Sequence, residues 1–202
     1  MNPAQEIRRL FDLMPASGRM NTKIFSQPTQ LKTIETEFPL PWHRQRKISI
    51  NFDRWSELSQ PQRDLLILRT VCWLSAIEWF KFDWQRGVVA LGALGAASEL
   101  FQGDAVGFLA AGGLTAFVAS RIWNQTRSSE SELLADEKAL EISQRRGYAK
   151  TEAAKHLLSA IEAVAKLEGR PALSFTELIR CQNLRSLAGM SAVGVPDGMR
   201  SQ

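Results

Sequence analysis

Histidine, tyrosine and cysteine are scarce in this chain: two His, one Tyr and two Cys among 202 residues. Cys72 and Cys181 stand far apart, and no CxxC pair exists, so a ribbon-type zinc site is excluded and two buried thiols in a reducing compartment are expected. No run of five or more basic residues occurs; RRGYAK and RQRK are the densest patches. The net charge of +4, from 25 Lys+Arg against 21 Asp+Glu, is too mild for a nucleic-acid interface, although it suits an anionic membrane surface. GALGAAS has neither the lysine nor the preceding strand of a phosphate-binding loop, and no Ser-His-Asp set can be read. The opening stretch, MNPAQEIRRLFDLMPASG, lacks the apolar core of a secretion signal, so export by that route is not expected. Hydrophobic residues make up 45% and charged residues 23%, which excludes disorder.

What is present reads as a mainly α-helical chain with one short strand. Residues 1–46 form a lead-in. Ile7, Leu10, Phe11 and Met14 recur at helical spacing over 4–14, with Glu6, Arg8 and Arg9 facing elsewhere, and 26–46 reads as irregular around Pro28, Pro39 and Pro41. Residues 47–86 hold a strand and a buried helix. Ile48, Ile50 and Phe52 alternate with polar residues over 47–52, 53–59 reads as a turn, and the helix over 61–80 is apolar on nearly all sides apart from Arg69.

Residues 87–123 are the most apolar part, with no Lys or Arg between Arg86 and Arg121. The interruption from Glu99 to Asp104 divides them into two legs. Gly92 with Ala96, Gly107 with Ala111, and Gly112 with Ala116 repeat at the four-residue spacing that lets helices approach closely in lipid. Trp79, Trp84 and Trp123 sit near the ends as an aromatic belt would. The expectation is a transmembrane helical hairpin, its first leg short for a bilayer core of about 30 Å. Lys81, Arg86, Arg121 and Arg127 at its base place the termini in the cytoplasm. Residues 124–188 read as three helices, at 129–146, 150–168 and 174–188, the last opened by the capping-box pair Ser174 and Glu177. Residues 189–202 read as a tail.

The chemistry-bearing feature is Glu132 with Asp136, one turn apart on one helix face. Such a pair commonly marks an acidic helix start. It is also the spacing at which one carboxylate ligates a metal while the other orients a neighbouring ligand.

The order strand, buried helix, apolar hairpin, then Ser128, Glu132, Ala135, Asp136, Ala139, Gly147 and Tyr148 resembles the membrane-anchored zinc peptidases that include the heat-shock protease HtpX and the prenyl-protein endopeptidases. The resemblance implies a zincin-like scaffold whose buried helix carries HExxH. Here RTVCW, 69–73, stands in that place: Arg69 and Trp73 replace the histidines and Thr70 replaces the catalytic glutamate. A guanidinium and an indole cannot ligate a cation, so no metal and no other cofactor is expected. The substitution instead suggests a remnant site in which Arg69 pairs with Glu132 or Asp136, a fixed charge in place of the ion. Over nearly its whole length, from EIRRLFDLMPASGRM to GRPALSFTELIRCQNLRSLAGMSAVGVPD, the chain also resembles a cyanobacterial domain family of unknown function, which implies a plasma or thylakoid membrane location.

The expected function is therefore a non-catalytic, membrane-anchored scaffold. Its partners would be membrane lipid and an unidentified protein, with no nucleic acid and no small-molecule substrate. One alternative is a membrane peptidase with an atypical metal site built from Glu132, Asp136, Glu141 and His156; His43, in PLPWHRQRK, is set aside as structural. Another is a soluble helical adaptor.

Overall fold

In the computed structural model, which describes residues 1–37, 45–76 and 129–191, the chain begins with helix α1, Pro3–Leu13. Asn2 caps it, its side chain accepting from the Ala4 N–H at 3.0 Å, and proline occupies the first turn, where no amide hydrogen is needed. Leu10 and Met14 are buried, as their spacing predicts. Glu6 is buried with them, which corrects its expected outward position: it lies one turn before Leu10 on the same face. Met14 is extended because it precedes Pro15, and a second helix, α2 at Ala16–Asn21, follows at once.

Three short strands come next: β1 at Thr22–Ser26, β2 at Ile34–Thr36 and β3 at Arg46–Ile50. The sheet order is β1-β3-β2. β3 runs parallel to β1, with Ile48 opposite Ile24, and antiparallel to β2, with Ile50 opposite Ile34. The alternation that marks β3 is real, since Ile48 and Ile50 are both fully buried. The stretch 26–46, expected to be irregular, thus contains β2, and β1 lies just ahead of it. β2 is too short to show alternation, and β1 presents a single run of TKIFS, so neither carries a period of its own.

Phe52 opens a short helix, α3 at Phe52–Ser56, instead of ending the strand. Asn51 caps it by accepting from the N–H groups of Asp53 and Arg54. Its Trp55 is fully buried. The central helix α4, Gln60–Ala76, is walled by Leu65, Ile67, Leu68, Val71 and Leu74, all buried.

Helices α5 (Ser129–Gln144), α6 (Lys150–Leu167) and α7 (Phe175–Leu187) complete the unit; α5 and α6 pack on α4, and α7 packs on both α5 and α6. The predicted capping box at Ser174 and Glu177 forms reciprocally. Gly169, at φ +67°, closes α6 in the left-handed region that a side chain disfavours. The main core joins Leu10, Ile48, Trp55 and Leu65 to Leu157, Ile161 and Leu184. A smaller cluster of Leu68, Cys72, Ala135 and Ala139 seals α4 to α5. The small residues of the E-x-x-A-D segment are thus explained by close helix packing. Cys72 and Cys181 are both buried free thiols, and burial pushes each up to about 11.

The expected fold class needs correction. The described residues form a mainly helical unit on a three-stranded mixed sheet, not a zincin-like peptidase scaffold with a lone strand, and among them no helix is long and apolar enough to cross a membrane. The apolar hairpin at 87–123, on which the transmembrane reading rested, lies outside the described residues, as do His43 and most of the tail.

Candidate functional site

Two buried charge networks stand out. The first joins α4, α5 and α7. Arg69 projects from α4, and Glu132 and Asp136 come from successive turns of α5. The Arg69 Nη2 is in contact with Glu132 Oε2, and its Nε lies 3.4 Å from Asp136 Oδ1 without forming a hydrogen bond. The structure therefore brings together the three residues proposed as an ion pair.

The fourth member, Arg180 of α7, was not anticipated. It donates from Nε and Nη2 to the two oxygens of Asp136 at 2.8 and 2.9 Å, a bidentate clamp on a carboxylate with no solvent exposure. The signal in the sequence was slight: Arg180 sits one turn before the apolar Leu184, beside Ile179 and Cys181.

Two guanidiniums thus share Asp136 unequally. Burial pulls Arg180 down, but Asp136 outweighs it and holds Arg180 above its ordinary value. Arg69 moves the other way. Burial, then repulsion from Arg180, lowers it to about 9 against the opposing pull of Asp136, which leaves it a cation at neutral pH.

The other two expected site positions do different work. Thr70 is buried and donates its hydroxyl to the Leu66 carbonyl at 2.8 Å, so it serves its own helix. Trp73 is half-buried and packs against both core clusters. The alternative metal set is not assembled. Glu141 is exposed, His156 meets the Tyr148 ring edge-on at 6.4 Å, and among the described residues no group of three or more His, Cys, Asp or Glu could hold a metal ion.

The second network ties α1 to α4. Glu6 accepts from Arg9 at 2.8 and 2.9 Å, from Arg63 at 3.0 Å and from the Trp55 indole at 3.2 Å. Burial raises its pKa, but these donors together hold it below the usual carboxylate range. Arg9 reaches on to Asp64 at 2.5 Å, and the Tyr148 hydroxyl donates to the other Asp64 oxygen at 2.8 Å. Burial and that bond push Tyr148 up to about 12. The Gly-Tyr that closes the α5 segment is thereby a tether back to α4, a role no local pattern reveals.

Fold and site together define a helical protein whose buried carboxylates are held by its own arginines. The chain belongs to a family of proteins of unknown function (DUF3318), which it matches over residues 8–148. That span includes Arg69, Glu132 and Asp136 and excludes Arg180. The expected membership of a domain family of unknown function is borne out. The chain is also similar to a curated relative, "Thylakoid membrane protein slr1949" of Synechocystis sp., at 30% identity over 121 residues, 58% of this chain and 57% of that one. It thus spans little more than half the length of that relative. No solved structure matches. Neither the family nor the relative is a peptidase by its description, so the peptidase kinship finds no support.

Proposed function

We propose that this chain is a non-catalytic scaffold that works at a membrane and binds a protein partner there. The observation that carries the reading is the enclosure of Asp136 between two arginines. A carboxylate with no exposed surface, held at both oxygens by two hydrogen bonds from Arg180, cannot reach a substrate. The neighbouring Thr70 hydroxyl is likewise engaged, bonded to its own helix. The membrane half of the reading draws on the thylakoid membrane relative and on the mild basic excess.

Fractionation of cells producing the full chain, with crosslinking on the native membranes, tests both halves. The expected result is sedimentation with membranes and a recurrent crosslink to one protein, with no metal in stoichiometric amount and no peptide hydrolysis by the purified chain. Recovery wholly in the soluble fraction would favour the adaptor reading. One zinc per chain together with hydrolysis would overturn the non-catalytic reading.

A further inference from the structure

The first network borders a cavity of about 350 Å³ between α4, α6, α7 and the 31–34 segment. That volume is at the small end of ligand pockets. Its walls are amphipathic. Leu66, Ile161 and Val164 supply apolar surface, and Lys32, Arg69 and Arg180 supply cations. Two carboxylates also border it, and both are already engaged. Glu177 is held by Arg170 at 2.7 and 2.9 Å, and Glu168 by the Thr33 N–H at 2.7 Å and by Arg170 at 3.0 Å.

We propose that this cavity binds a small amphipathic anion, a short apolar chain ending in one carboxylate or phosphate. The two guanidiniums that share Asp136 repel each other, and both line the cavity. The carboxylates that answer them, Glu132 and Asp136, lie on α5, no described residue of which lines it. An anion in the cavity would meet both guanidiniums away from α5, beside the apolar Ile161 and Val164 on which its chain would lie. Burial, then repulsion from Arg180, lowers the pKa of Arg69, in keeping with two guanidiniums held close together at one wall. Lys32, 61% exposed and paired with the surface residue Glu35, adds a charge at the rim. This inference does not depend on the scaffold reading.

Calorimetric titration of the purified full chain with octanoate, octyl phosphate, octanol and inorganic phosphate tests it. Both amphipathic anions should bind saturably at one site, at least tenfold more tightly than octanol or phosphate. Lys32→Glu, at an exposed position, should weaken octanoate binding at least threefold without lowering the melting temperature. Val164→Phe, which fills the space, should weaken it at least tenfold. Absence of saturable binding, octanol binding as tight as octanoate, or unchanged binding by Lys32→Glu would each overturn the proposal. Vesicles containing phosphatidylglycerol then separate the sources. Displacement of octanoate by them, and not by phosphatidylcholine vesicles, identifies a lipid headgroup; no displacement identifies a free amphiphile. Both results uphold the site.

Discussion

Arg180 clamps Asp136 through two hydrogen bonds across 44 residues of sequence, and in doing so fastens α7 to α5. Removing one partner of a buried pair leaves a charge without compensation. Arg180→Met should therefore cost about 3–5 kcal/mol of stability, measured by urea unfolding. A loss below about 1 kcal/mol would show that the clamp is not what holds Asp136 in the core.

Arg69 and Glu132 offer a cleaner test, because each is partly accessible. Arg69→Glu and Glu132→Arg should each destabilise the protein, whereas the double variant should recover about 0.5–3 kcal/mol relative to the sum of the singles. A double variant that unfolds as readily as that sum predicts would argue against a specific pairing.

Glu177 makes stability depend on acid. Burial would raise its pKa, but Arg170 and the Ser174 groups bring it down to about 2 from an ordinary 4.5. A carboxylate with a lowered folded pKa contributes stability above its unfolded value and loses it as pH falls, here between about 4.5 and about 2. Urea midpoints across that window should fall more steeply for the wild type than for Glu177→Gln. Parallel curves would exclude this carboxylate as a source.

Gly18 is a point of close approach. A Cβ there would lie 2.5 Å from the Val71 Cγ1 atom, a core contact between α2 and α4. Gly18→Ala should cost about 1–3 kcal/mol through overpacking, and Val71→Ala in the same chain should return part of it. The check is the melting temperature of the double variant against Gly18→Ala alone.

The thiols report on the same core. Cys72 and Cys181, both buried and both raised to about 11, should react slowly with iodoacetamide at pH 8 in the folded chain and rapidly in urea. Fast native labelling of either would mean that its cluster opens.

Much of the helical fold was legible. Caps and periods act over a few residues, so Ser174 with Glu177, and Gly169, stand where local chemistry puts them, whereas the Asn51 cap and the helix it opens were read as strand end and turn. β3 was legible from Ile48 and Ile50, whereas β1 and β2 were not. Strands this short, β2 without a single buried residue, are defined by the neighbour that pairs with them. The E-x-x-A-D segment was misread toward a peptidase because Ala135 and Ala139, which let α5 approach α4, produce the same pattern for a packing reason.

By itself, the sequence determined the course of the longer helices, their apolar faces, and that Arg69, Glu132 and Asp136 stand out as charges beside buried surface. Only the tertiary structure decided that Arg180 would take the larger share of Asp136, that Glu6 would turn inward to Arg63 and Trp55, and that a cavity would lie against the two arginines. The physical reason is distance along the chain. A capping bond or a helical period forms among near neighbours, but a buried charge is satisfied by whichever opposite charge the packing of remote helices delivers to it.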